Sequence, residues 1–123
     1  MIGYVTLGTN DLARAGAFYD GLLRVLGAAR AMETDRMIAW AAKPDQPMLV
    51  AITPFDDKPA TVGNGVMVAL QAASREQVDE LHRTALALGG SDEGAPGPRF
   101  GGVIYAAYFR DRDGNKLDAF VRL

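Results

Sequence analysis

Apolar and polar positions follow two different periods along the first half of the chain. Residues 2–8 form a short run rich in β-branched side chains, which predicts a strand, and this run leads into Thr9, Asn10 and Asp11, which are residue types that cap helices. Apolar residues then recur every third or fourth position as far as Gly27, which predicts one amphipathic helix (Leu12, Ala15, Phe18, Tyr19, Leu22, Leu23 and Leu26). Two further apolar runs, residues 37–42 and 48–53, are separated by a proline-containing link and predict a hairpin.

The second half repeats this order of elements. Residues 66–70 predict a strand, and Ser74 and Gln77 have the spacing of a capping box at the start of a second helix. The buried face of that helix is predicted from its apolar positions (Val78, Leu81, Ala85, Leu86 and Leu88). Residues 103–109 and 116–121 then predict a second hairpin, whose connection contains the sequence DRDGN.

Corresponding elements lie about half the chain apart, which predicts a duplicated unit with modules at about residues 1–60 and 61–123. Each unit contains a strand, a helix and two or three strands, and neither unit can cover its sheet alone. We therefore expect an α+β fold in which the two sheets form a cupped mixed sheet, with the helices outside and a concave open face. Residues 94–102 are rich in glycine and proline and are predicted to form a loop.

Composition limits the classes of function. The 123 residues are 49% apolar, which suits one domain with a real core, and 13 basic residues against 15 acidic ones include no basic block that could follow a nucleic acid. The chain has no cysteine, which excludes disulfides, thiolate metal sites and a cysteine nucleophile. Neither a signal-peptide pattern nor a membrane-spanning apolar run is present, so we expect a cytoplasmic protein without a membrane partner.

Several common catalytic patterns are missing. The sequence contains no phosphate-binding GxxxxGK[ST] motif and no GxSxG motif around a nucleophilic serine. The single histidine, His82, lies within the second predicted helix, and we expect it at the surface. Nucleotide chemistry and a hydrolase triad are therefore not indicated.

Three segments that together span nearly the whole chain resemble the vicinal oxygen chelate superfamily, which includes glyoxalases, bleomycin resistance proteins and extradiol dioxygenases. The segments are GYVTLGTNDLARAGAFYDGLLRVLG, GVMVALQAASREQVDELHRTALALGG and YAAYFRDRDGNKLDAF. The resemblance implies a pair of βαβββ modules whose joined sheet cups a metal ion and its substrate, often in a homodimer.

The resemblance also implies where metal ligands would lie, and these positions are changed here. Tyr4 stands where such proteins carry a histidine before the valine of an HVTLG-like motif, Met67 replaces a second histidine, and Asp118 replaces a glutamate after the DPDGN-like turn. Strand alternation places the three side chains on the cup face. A phenol, a thioether and one carboxylate are a poor donor set for a divalent ion, so we expect no cofactor and no tightly bound metal. A divalent metal is expected only if this interpretation is wrong.

The same residues are the candidates for ligand contact and catalysis. Asp118 is a candidate acceptor or base, or one half of a structural salt bridge, and Tyr4 is a candidate hydrogen-bond donor or a filler of the half-open sheet. Met67 is a candidate apolar wall, and Arg99 is either a cation for an anionic group or a solvated side chain. Aromatic residues are candidates for lining the cavity (Trp40, Phe55, Phe100, Tyr105, Tyr108 and Phe120), although core packing is the usual role of such residues in a small domain.

Three functions remain open from the sequence. The first is binding of a small apolar or aromatic molecule in the cup without a metal. The second is a lyase, isomerase or dioxygenase-like enzyme related to lactoylglutathione lyase, including a metal-free form in which Tyr4 or Tyr105 donates to an enolate oxygen and Asp118 is the base. The third is a dimeric interaction module. The expected partners are a small-molecule ligand and a second copy of the chain.

Overall fold

Two strand–helix–three-strand modules follow one another along the chain in the computed structural model, which describes residues 1–123. The first module contains β1 (Tyr4–Gly8), α1 (Leu12–Arg24), β2 (Ala29–Glu33), β3 (Met37–Ala41) and β4 (Met48–Ile52). The second contains β5 (Val68–Gln71), α2 (Arg75–Ala87), β6 (Ser91–Arg99), β7 (Ile104–Arg110) and β8 (Lys116–Arg122), with a short 3-10 turn at Phe100–Gly102 between β6 and β7.

The two modules have the same topology. The strand orders are β1-β4-β3-β2 and β5-β8-β7-β6, and in each sheet the first strand is parallel to the last while the other pairs are antiparallel. The predicted α+β fold of two βαβββ modules is thereby confirmed. Within one chain, no strand of the first sheet is hydrogen-bonded to a strand of the second. Neither helix is long and apolar enough to cross a membrane.

The caps show why the helices begin where they do. The side chain of Asp11, not of Asn10, caps α1, since it accepts the backbone N–H three residues later at 3.0 Å. Asn10 instead holds the linker between the modules, because its Oδ1 accepts the N–H of Ala60 at 2.7 Å. The predicted cap of α2 is confirmed, as Ser74 accepts the N–H of Gln77 at 3.1 Å.

The helix-facing sides of the two sheets share one hydrophobic core with α1 and α2. Trp40 belongs to this core and not to a cavity wall, and its indole N–H donates to the Asp20 carboxylate at 2.9 Å. The expectation that His82 lies at the surface is wrong. The side chain is buried where β6 packs along α2, and its Nε2 lies 2.9 Å from Oδ1 of Asp92.

Two edge strands, β2 and β6, were not predicted. All five residues of β2 are exposed, so the strand has no alternating pattern, and β6 contains the glycines and prolines that predicted a loop. An edge strand tolerates prolines and bulges because one side makes no ladder hydrogen bonds, and β6 shows two register shifts. Arg99 therefore ends a strand and does not lie on a loop.

The turn at residues 111–115 ties the second module to the first. The Tyr19 hydroxyl of α1 donates to Oδ2 of Asp111 at 2.6 Å inside the protein. The Thr9 hydroxyl, just after β1, donates to Oδ2 of Asp113, also at 2.6 Å. These bonds fix the turn, and with it the start of β8, against the first module.

Candidate functional site

Strand alternation gives the second sheet one face against α2 and one face that no helix covers. Leu117 and Ala119 of β8 lie in the core, so Lys116, Asp118 and Phe120 project to the other side. The β7 residues opposite these three lie on that same side (Arg110, Tyr108 and Ala106). We call this side the open face of the second sheet.

Asp118 is the buried polar group of this open face. The residue is 4% exposed, and its Oδ1 has no hydrogen-bond partner in the protein. Burial raises the pKa of the carboxyl to about 6, and the positive charge of Lys116 opposes part of that rise. An unpaired carboxylate in such a place is unfavourable unless another group supplies a hydrogen bond.

Tyr108 lies directly opposite Asp118 and is flanked by two cations. The guanidinium carbon of Arg99 lies 5.5 Å from the Tyr108 ring centroid, and the Lys116 ammonium lies 5.6 Å from it. The structure thus brings the predicted residue Arg99 to the open face, where it also donates to the carbonyl of Ala95 at 2.7 Å. The side-chain ammonium of Lys116 makes no hydrogen bond or ion pair within the chain.

A cavity of about 430 Å³ borders the open face. Linker residues 62–67 form one wall, and Arg110 and Lys116 form the other. Met67, the last residue of that wall, lies two positions before Ala69, which pairs with Asp118 across the β5–β8 ladder. Strand alternation therefore gives Met67 the same face as Asp118.

Tyr4 occupies the corresponding place in the other module. When the strand pairings of the two sheets are compared, Val50 of β4 has the same position in the first sheet as Asp118 has in the second. Tyr4 in the first module likewise corresponds to Met67 in the second. Tyr4 is 63% exposed on the open face of the first sheet. Tyr4 and Asp118 therefore lie on two sheets that share no strand pairing within one chain.

The predicted ligand positions do not fit a divalent metal. Such a site needs three or four nitrogen or oxygen donors, whereas the second sheet offers one carboxylate and a thioether, and the phenol lies on the other sheet. No group of three or more histidine, cysteine, aspartate or glutamate side chains lies close enough to hold an ion.

The other aromatic candidates are divided by the fold. Phe120 lies on the open face, but Tyr105 faces α2, where its hydroxyl donates to Asp79 at 2.7 Å. Phe55 and Phe100 are highly exposed, Phe55 in the linker between the modules and Phe100 in the 3-10 turn between β6 and β7. Sequence reasoning missed Lys116, although its spacing of two residues from Asp118 was enough to place both on one face.

The match to known proteins decides the family. Residues 1–119 match the model of the Glyoxalase/Bleomycin resistance protein/Dioxygenase superfamily. The chain belongs to this superfamily. The match spans both modules, in agreement with the resemblance carried by the three sequence segments. A comparison with curated proteins gave no significant match.

Solved structures of the superfamily have the same architecture. A glyoxalase/bleomycin resistance protein from Albidiferax ferrireducens T118 is 37% identical, with a TM-score of 0.92 over 100% of this chain and 99% of that one. A lactoylglutathione lyase from Agrobacterium tumefaciens is 24% identical, with a TM-score of 0.70 over 98% of this chain and 92% of that one. A glyoxalase-related enzyme from Fulvimarina pelagi is 20% identical, with a TM-score of 0.77 over 99% and 88%. The last two likenesses concern the fold alone.

Proposed function

We propose that this superfamily member binds a small molecule with an aromatic or apolar body and a hydrogen-bond donor, without a metal. The observation that carries the proposal is the buried Oδ1 of Asp118, which lacks a partner on a face that no helix covers. Tyr108, Phe120 and Met67 offer the ligand an apolar and aromatic surface around that acceptor. A hydroxyl or amine of the ligand would complete the hydrogen bonding of Asp118.

We propose further that two copies of the chain complete the cup. Each chain leaves one open face on each sheet, and its two sheets share no strand pairing. Tyr4 and Ile2 at the first sheet, and Val66 and Met67 at the second, expose large apolar side chains. If the first sheet of one copy covers the second sheet of the other, Tyr4 comes to face Asp118 across the ligand.

Benzyl alcohol is a suitable first probe, because its hydroxyl can donate to Asp118 while its ring contacts the surrounding side chains. We expect a titration followed by amide NMR to shift the signals of residues around Asp118. Asp118→Ala should weaken binding about fivefold or more, since it removes the acceptor. Asp45→Ala, the same change at an exposed turn, is the matched control and should leave the affinity unchanged. Equal affinities of the two variants would contradict the proposal.

Metal independence is tested by calorimetric titration of chelator-treated, tag-free protein with Zn, Ni, Mn and Fe(II). The donor set predicts no binding at unit stoichiometry. Tight binding of one metal, lost in Asp118→Ala, would instead favour metal-dependent superfamily chemistry.

A metal-free lyase or isomerase is the second candidate, and the pKa of Asp118 favours it. A carboxyl with a pKa of about 6 is a stronger base than an ordinary aspartate and is largely ionised at neutral pH. Turnover of the hemithioacetal of methylglyoxal and glutathione by chelator-treated protein would support this function. The rate should then rise as the pH passes upward through about 6 and should be lost in Asp118→Asn, whereas binding without turnover supports the first proposal.

A further inference from the structure

The end of the open face nearest the linker carries an unusual pair of charges. Arg110 and Lys116 are directly opposite one another in the antiparallel β7–β8 ladder, and both line the cavity of about 430 Å³. Like charges in directly opposed positions destabilise a sheet. The fold therefore places two cations together at a cavity, although this pair does not stabilise the strand pairing.

Only one of these two cations is neutralised. Arg110 forms an ion pair with Glu93 of β6, and its Nη1 donates to the carbonyl of Gly114 at 2.8 Å. Lys116 has no carboxylate within ion-pair distance, and this includes Asp118 two residues further along the strand. One positive charge consequently remains unpaired at the cavity of a chain whose formal net charge is −2.

The opposite wall of the cavity adds backbone donors. The N–H groups of Asn64 and Gly65 make no backbone hydrogen bond. Gly65 has a φ of 96°, in the region that favours glycine, so the shape of this wall depends on that residue. Asn64 and Gly65 line the same cavity as Lys116, and N–H groups without a partner are donors that an anionic oxygen can use.

We infer that this cavity accepts the carboxylate of a monoanionic ligand, with Lys116 as its main counter-charge and the ligand body lying towards Tyr108 and Asp118. The inference rests on the proposed binding function and defines its ligand class. Among the residues that line the cavity, Lys116 carries the one charge without an ion pair, and a single positive charge matches a carboxylate better than a phosphate dianion.

The test compares 4-(hydroxymethyl)benzoate with benzyl alcohol by amide NMR titration at neutral pH, because both have the hydroxyl that donates to Asp118 and only the first carries a carboxylate. We expect 4-(hydroxymethyl)benzoate to bind about tenfold more tightly, with shifts at residues 63–67 as well as around Asp118. Lys116→Met should remove this preference, since it removes the counter-charge of the ligand carboxylate. Lys116→Arg, which keeps the charge, should retain the preference, and Lys43→Met, the same loss of charge at an exposed position between β3 and β4, should not alter it.

The outcomes separate this inference from the proposed function. If benzyl alcohol binds through Asp118 but 4-(hydroxymethyl)benzoate binds no better, the binding function stands and the carboxylate assignment is overturned. A preference for 4-(hydroxymethyl)benzoate that survives in Lys116→Met, or inorganic phosphate that binds at residues 63–67 more tightly than 4-(hydroxymethyl)benzoate, also overturns it. If neither aromatic probe binds, both proposals fail.

Discussion

At the scale of single residues, the buried Asp118 carboxylate lowers the free energy of unfolding and also supplies a hydrogen-bond acceptor on the open face. Its pKa is about 6 in the folded protein against 3.8 as the ordinary value, so the unfolded chain loses the proton first as the pH rises. The free energy of unfolding should therefore fall between about pH 4 and pH 6 and stay lower above it, by up to about 3 kcal/mol. Asp118→Asn should remove this loss, so that the variant is more stable than the native protein at pH 8 but not at pH 4.

Urea unfolding of both proteins at several pH values measures this difference. The matched control is Asp45→Asn, whose side chain is exposed and which should leave stability unchanged at every pH. A variant Asp118→Asn that is less stable than the native protein at pH 8 would show that the carboxylate supports the fold and does not serve a ligand.

At the scale of elements, the turn at residues 111–115 holds the two modules together through buried hydrogen bonds. Burial and the neighbouring Asp111 raise the pKa of the Tyr19 hydroxyl well above its ordinary value, which keeps it a donor. Tyr19→Phe should lower the free energy of unfolding by about 1–3 kcal/mol, because it leaves Asp111 short of a partner inside the protein. Tyr105→Phe removes a similar bond near the surface and should lower it by less than about 1 kcal/mol. If urea unfolding shows the same decrease in the free energy of unfolding for Tyr19→Phe and Tyr105→Phe, the turn does not hold the two modules together as stated.

At the scale of the whole molecule, the separate sheets lead to a prediction about assembly. Light scattering of the purified protein should give twice the chain mass of 13.1 kDa, because the open faces need cover. Tyr4→Asp should shift the mass towards that of one chain, since it places a charge on the open face of the first sheet. Leu86→Asp should leave the mass unchanged, because Leu86 is exposed on α2, and its predicted place on the buried face of that helix is wrong. A single-chain mass for the native protein would contradict the proposed cup between two copies.

The sequence alone determined the elements whose signal is local. Helical periods of three and four placed α1 and α2 within a few residues of their observed bounds, and both predicted hairpins are confirmed. Alternation along β8 also placed Asp118 on the face away from the helix. These features depend on neighbouring residues in the chain, so their pattern is visible without knowledge of the fold.

Tertiary structure decided whatever depends on partners distant in the chain. Edge strands such as β6 form because a neighbouring strand is present, and their own composition predicts a loop. His82 is buried by β6, Arg99 reaches Tyr108 only through the β6–β7 ladder, and Lys116 opposes Arg110 only in the register of β7 and β8. The separation of Tyr4 from Asp118 likewise follows from how the modules pack, since burial and charge proximity are properties of the packed chain and not of its local pattern.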